Sequence, residues 1–261
     1  MAMNLAGKRV LVGGASSGIG EASALAIAPL GAEIAVMGRR AERLEALVER
    51  LREAGAPKAR VVIADWQDEG ATAEAVDGLL RDFGDIHVFV NNSGGPPGGA
   101  LVDASTEQLL FAMQRLLFTP AAIFRRLVPG MTAAGYGRLI NVISTSVYEP
   151  IPNLGISNTA RGATASWAKT LAKELPAGIT VNNVLPGFTD TERLDLLRAA
   201  TAERRGITEE QLLTQWLGAV PEKRLAQPEE IAAVVAFLAS PAAGFIRGQS
   251  IAADGGRMHS I

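Results

Sequence analysis

Short apolar, β-branched runs alternate along the chain with longer stretches of helical periodicity. Lys8–Gly13 predicts a first strand and Gly18–Ala28 a helix. Glu33–Gly38 predicts a second strand, with a helix over 41–54. That helix interleaves both charge signs, the pattern of a solvated face. Arg60–Ala64 predicts a third strand, followed by a helix over 71–83, and Ile86–Asn91 a fourth strand. A long helical region runs from Thr106 to about Ala134, with Pro120 kinking it or sitting near its start. Arg138–Ser144, Ile179–Leu185 and Gln249–Ala252 complete seven strands, with further helices near 158–175 and 228–239.

Strands this short and continuously apolar are covered on both faces, the pattern of a parallel sheet between two helical layers. Right-handed crossovers then give an α/β single-domain Rossmann fold over 1–261, a doubly wound seven-stranded parallel sheet with ligands beyond the C-terminal strand ends.

Composition narrows the chemistry. A chain of 261 residues, 48% hydrophobic, can bury a full core without staples. It has no cysteine, so disulfides, thiolate nucleophiles and cysteine-ligated metals are excluded. The two histidines, His87 and His259, suggest no metal site by local spacing. A net charge of −2 argues against nucleic acid as a partner. No export signal is evident, and the longest uncharged apolar run, 231–246, is short of a membrane span and contains Pro241, so the cytoplasm is expected. There are only two tyrosines, Tyr136 and Tyr148.

Directly after the first strand comes Gly14-Ala-Ser-Ser-Gly18-Ile-Gly20, opening a helix. Glycines there allow a tight turn and close backbone approach to a pyrophosphate, which the helix N-terminus attracts. The spacing differs from G-x-G-x-x-G and resembles the cofactor loop of the short-chain dehydrogenase/reductase family, in particular its 3-oxoacyl-acyl-carrier-protein reductases. Asn91-Asn-Ser-Gly94 is similar to that family's N-N-A-G motif, and Asn141-Val-Ile-Ser144 to the strand end bearing its catalytic serine. Pro186-Gly-Phe-Thr-Asp-Thr191 resembles its nicotinamide clasp, and Arg224–Ile231 and Gly248–Gly256 its C-terminal pattern. These motifs fall in family order across roughly residues 5–256.

The resemblance implies a nicotinamide cofactor held by Gly14, Ser16, Ser17, Gly18, Ile19 and Gly20 in the loop. It adds Asn91, Ser93 and Gly94 after strand four, and Pro186, Gly187, Thr189 and Thr191 after strand six. Gly38-Arg39-Arg40 ends strand two without the acid that NAD enzymes place there; arginine forks suit a 2′-phosphate, so NADP(H) is favoured, with NAD(H) still open. The alternative is that Arg39 and Arg40 only cap a solvated helix. Asp65 resembles the aspartate that bonds adenine, or is a strand-end turn residue.

The family's proton donor is a tyrosine thirteen residues after the serine, with a lysine four further on. Here those positions are Ser157 and Arg161, and the family's relay asparagine corresponds to Leu116. Ser144 and Ser157 can bond a substrate carbonyl, and Arg161 can hold ribose hydroxyls but not relay protons. Tyr148 is a candidate substitute acid, or a loop aromatic packing beside Pro150 and Pro152. Tyr136 and His87 are expected to be structural.

Segment 191–224 corresponds to the family's substrate lid. Its leucines and Trp216 form either an apolar pocket wall or the lid's own packing. Two readings follow: an NADP(H)-dependent oxidoreductase acting on a carbonyl or secondary alcohol with a non-standard proton donor, or a cofactor-binding protein that has lost that chemistry. Relatives assemble through long helices, so self-association as a tetramer or dimer is expected. Alanines 160, 163, 165, 168 and 172 permit close packing, and the 247–261 tail assists.

Overall fold

In the computed structural model, which describes residues 3–260, seven parallel strands form one sheet in the order β3-β2-β1-β4-β5-β6-β7. They are β1 (Arg9–Gly13), β2 (Glu33–Gly38), β3 (Ala59–Ile63), β4 (Val88–Asn92), β5 (Gly137–Val142), β6 (Ile179–Pro186) and β7 (Ser250–Ala253). The order reverses between β1 and β4, so the C-terminal ends of those strands splay apart and leave the crevice in which a doubly wound sheet binds ligands.

Helices cover both faces because the strands are apolar on both. One layer holds α1 (Gly18–Ile27), α2 (Ala41–Glu53) and the helix over Pro228–Ala239, packed on Val10, Val12, Ile34 and Val36. The other holds α3 (Glu69–Phe83), the helix over Thr119–Ala133 and the helix over Gly155–Glu174, packed on Leu11, Met37, Phe89 and Leu139. Successive side chains of a strand alternate between the two cores, as the pleat requires. Among the described residues, no helix is long and apolar enough to cross a membrane.

The long helical region over 106–134 is interrupted beside Pro120, which sits near the start of a helix as expected, and the break itself takes an unforeseen form. Helix α4 (Thr106–Met113) runs into a π-helical turn at Gln114–Phe118, and α5 (Thr119–Ala133) follows. Pro120 has no N–H for the carbonyl of Leu116, and the Thr164 hydroxyl on α6 (Gly155–Glu174) bonds that carbonyl instead, at 3.0 Å. The irregularity is therefore paired, and it pins α5 to the helix that carries Ser157 and Arg161.

Segment 191–224, expected as a lid, contains two helices, α7 (Glu192–Arg205) and α8 (Glu209–Gly218); α9 is Pro228–Ala239. A capping box between Thr208 and Gln211 starts α8. Of the alanines expected to permit close packing between subunits, Ala160, Ala168 and Ala172 are buried in the chain's own core, while Ala163 and Ala165 stay partly exposed. In the tail, Arg247 bonds the carbonyls of Ala172, Leu175 and Pro176, and His259 and Ser260 donate their N–H groups to Glu149; Ile261 lies outside the described residues.

Candidate active site

The phosphate loop is a cradle in which only glycine fits. Gly14 has φ +59°, and a Cβ there would sit 2.3 Å from the Asn92 carbonyl oxygen. A Cβ on Gly20 would sit 2.3 Å from the carbonyl oxygen of Gly14. These contacts draw the start of α1 against the ends of β1 and β4. Ser17 occupies the N-cap position, yet no side chain caps the helix, so its first N–H groups remain available to an anion. The backbone therefore fits a dinucleotide pyrophosphate.

Arg40 lies along the outer edge of that cradle. Its Nε and Nη2 donate to the Ser16 and Ser17 hydroxyls at 3.0 and 2.6 Å, and its Nη1 pairs with Glu192 at 3.2 Å. Arg43 pairs with the same carboxylate at 2.7 Å, and the two guanidiniums hold Glu192 below the usual carboxylate range. Arg39 instead reaches Asp65 at 3.6 Å, joining the two positions expected at a 2′-phosphate and an adenine. Arg115, which belongs to no motif, extends to the same end. A methyl on Gly94 would lie 3.5 Å from its Nη2, its buried Nε has no partner among the described residues, and burial pushes its pKa down.

A cavity of about 290 Å³ runs on from the cradle. Gly14, Ser17, Gly18 and Ile19 line it from the loop, Ser93 and Gly94 from the end of β4, and Ser144 from the end of β5. Ser157 and Arg161 line it from α6, and Pro186, Gly187, Thr189 and Thr191 from the segment after β6. Asn91 does not line it, unlike the expectation; the neighbouring Asn92 does. Strand alternation turns Asn91 into the sheet, where its amide donates to Asn141 at 2.8 Å. Asn141 donates to Asn183 at 3.0 Å and Asn183 to the Ser250 hydroxyl at 2.9 Å, a polar ladder across four strands.

At the reaction end, the Ser144 Oγ accepts the N–H of Ser146 at 3.1 Å, and the Ser157 Oγ accepts Nε–H of Arg161 at 3.1 Å. Each hydroxyl oxygen accepts one bond, and neither hydroxyl has an acceptor for its own hydrogen among the described residues, so each can donate to a substrate. The Arg161 Nη1 donates to the Ile143 carbonyl at 2.8 Å, anchoring the guanidinium on the end of β5. No carboxylate pairs with Arg161 among the described residues. Desolvation, with a smaller contribution from the Arg193 charge, pushes its pKa down to about 10, so it stays cationic at neutral pH. Arg193 reaches over from α7 and donates to the Pro96 carbonyl at 2.6 Å. Leu116, at the expected relay position, is buried.

Tyr148 is 54% exposed and lines neither this cavity nor the one beside it. Tyr136 sits on the far side, its hydroxyl bonded to the Ala239 carbonyl and its ring beneath Lys8 and Arg138. His87 is buried, its Nδ1 accepting the Arg9 N–H at 3.0 Å; desolvation, then Lys8 and Arg9, hold its pKa down at about 4. His259 lies in the tail, close to Glu149. Of the lid residues, Leu194 and Leu197 line the cleft, Leu212 is buried, and Leu196 is exposed.

Known proteins resemble this chain in sequence and fold. A family model described as enoyl-(acyl carrier protein) reductase matches residues 14–258. The 3-oxoacyl-[acyl-carrier-protein] reductase of Pseudomonas aeruginosa is 34% identical over 257 residues, covering 97% of this chain and 98% of that protein. The L-sorbose reductase of Gluconobacter frateurii, solved with NADPH and L-sorbose, superposes with a TM-score of 0.92 at 30% identity over all of both chains. The actinorhodin polyketide ketoreductase, solved with NADPH, gives a TM-score of 0.91 at 28% identity over 97% of this chain and 98% of that one. With the loop, the strand ends and the serine of β5 in their places along a 3-2-1-4-5-6-7 sheet, the chain belongs to the short-chain dehydrogenase/reductase family of NAD(P)(H)-dependent oxidoreductases.

Proposed function

We propose that the protein is an NADP(H)-dependent reductase of a carbonyl substrate in which Ser157, backed by Arg161, takes the part of the proton donor. The observation that carries this reading is the hydrogen bond from Arg161 Nε to Ser157 Oγ inside the cleft onto which the phosphate loop opens. Binding of NADP(H) by relatives such as the L-sorbose reductase supports the cofactor, as does Arg40 beside Ser16 and Ser17 at the cradle's edge. A 2′-phosphate there would meet Arg40 and Arg43, with Arg39 and Arg115 flanking it.

When bound, a reduced nicotinamide supplies the hydride to the carbonyl carbon. The chain's own groups manage the oxygen. Ser144 and Ser157 donate hydrogen bonds to it, and these strengthen as negative charge gathers there. The fixed Arg161 cation lowers the cost of that charge through Ser157. The resulting alkoxide is basic enough to take the Ser157 proton, and the serine oxygen, stabilised by Arg161, recovers a proton from water in the cleft. In the reverse direction Ser157 would have to act as a base, for which a hydroxyl far less acidic than a tyrosine is poorly suited.

Self-association is part of the same reading. Leu110, Phe111 and Phe118 expose apolar surface along α4 and the π-helical turn, beside a groove holding Trp167 and Leu171. That patch supports a dimer or tetramer, which light scattering would detect.

The test is NADPH and NADH titration followed by turnover on ketones, quinones and acyl thioesters. Expected are tighter binding of NADPH, reduction of at least one class, and oxidation of the alcohol product that is slow at neutral pH and rises with pH. Cofactor binding without turnover on any class would overturn the reading in favour of a cofactor-binding protein without the chemistry.

A further inference from the structure

Beyond the cofactor cleft lies a second cavity of about 410 Å³. The two share Ser144, Leu154, Pro186, Gly187, Leu194 and Leu197, so the second opens directly off the reaction end. Part of its wall is apolar: Ile151 and Pro152 come from the loop after β5, and Phe188 and Trp216 lie stacked 4.8 Å apart at 11°. The rest is cationic. Arg204 and Arg205 line it from the end of α7 and Arg257 from the tail, and no aspartate or glutamate lines it at all.

These arginines are not balanced elsewhere. None of the three forms an ion pair among the described residues, whereas Arg198, on the same helix, takes both Asp195 and Glu209. The acids close to Arg257 are spent on backbone: Asp254 accepts from Gly256 and Met258, and Glu149 from His259 and Ser260. Arg257 is nonetheless held firmly. Its guanidinium lies over the Phe188 ring, 4.9 Å from the centroid, and its Nη1 donates to Thr145 Oγ1 at 3.0 Å. Trp216, Phe188 and Arg257 thus form one stack that presents a planar cation to the cavity. An arginine so placed keeps free N–H groups with the spacing of a carboxylate or phosphate edge.

We infer that this cavity selects a carbonyl substrate bearing an anionic head, a carboxylate or a phosphate ester, with an apolar segment between head and carbonyl. The carbonyl would sit at Ser144, the segment against Ile151, Leu197 and Trp216, and the head among Arg204, Arg205 and Arg257. The carbonyl end rests on the reductase reading above; the anion preference does not.

Calorimetric titration of the cofactor-free protein tests it, with octanoate, octyl phosphate and uncharged methyl octanoate as probes. At low salt, one or both anions should bind at least about tenfold more tightly than the ester, the preference shrinking as salt is raised. Whichever anion binds better identifies the head. The exposed pair Arg204→Gln/Arg205→Gln, and separately Arg257→Gln, should remove most of that preference while ester affinity changes less than about threefold. Equal affinity for acid and ester, no binding of any probe, or a preference that survives in both variants would overturn the inference. NADPH titration of the same samples separates the two ideas. Lost NADPH binding with an intact anion preference sinks only the reductase reading, and intact NADPH binding with no preference sinks only this one.

Discussion

The two ends of the cleft are built from different materials. At the phosphate end the backbone does the work: Gly14 and Gly20 stand where any Cβ would strike a carbonyl oxygen, and the unsatisfied start of α1 supplies the donors. At the reaction end side chains do it, with Ser144, Ser157 and Arg161 projecting from a strand end and a helix whose backbone is ordinary. A backbone site tolerates almost no substitution, because a wrong residue breaks the turn itself. A side-chain site can exchange its chemistry while the fold is kept.

The sharpest way to break that contrast is to add one methyl group in two places. Gly14→Ala should cost about 2–4 kcal/mol through clash and strain at positive φ and abolish measurable NADPH binding. Gly162→Ala, in α6 with nothing within 4 Å of the new Cβ, should stabilise the protein by about 0.5–1 kcal/mol. Thermal unfolding and cofactor titration of the two variants decide it, and equal effects would erase the distinction.

A smaller effect sharpens it within the phosphate end, where Arg40 is the side chain added to a backbone site. Arg40→Ala should weaken NADPH binding roughly 10–100-fold, the worth of a charge-assisted phosphate contact, and NADH binding less than about threefold. Equal losses for the two cofactors would place Arg40 away from the 2′-phosphate.

The smallest effect lies outside the cleft. With its folded pKa near 4, below the ordinary 6.5, His87 binds its proton more readily in the unfolded chain. Its contribution is complete above pH 6.5 and is lost as pH falls toward 4, on the order of 1–2 kcal/mol after discounting for its incomplete enclosure. His87→Gln, which still offers an acceptor to the Arg9 N–H, should flatten the acid side of the stability–pH curve while leaving turnover unchanged.

The same division explains what could be read from the sequence. Strands β1 to β7 and the glycine loop were legible because periodicity and positive-φ requirements are local properties. That Asn91 faces Asn141 rather than the cavity was not legible, because a motif position does not say which face of a strand a side chain takes. Asparagines near equivalent strand ends, at 91, 141 and 183, were the available sign of a ladder. The π-helical turn could not be foreseen, since the carbonyl that Pro120 abandons is served by Thr164, far along the chain. The helix α8 is announced by Thr208-Glu-Glu-Gln211, a capping-box spacing. Nothing in the sequence links Arg205 to Arg257 or brings Arg115 to Gly94; those meetings exist only once the sheet has formed.

The central claim, that Ser157 backed by Arg161 completes the site, is tested most directly by kcat for NADPH-dependent carbonyl reduction in the native protein, Ser157→Ala and Tyr148→Phe. Ser157→Ala should lower kcat roughly 100-fold or more with NADPH affinity retained, and Tyr148→Phe should stay within about twofold of native. A collapse of turnover in Tyr148→Phe with none in Ser157→Ala would contradict the account.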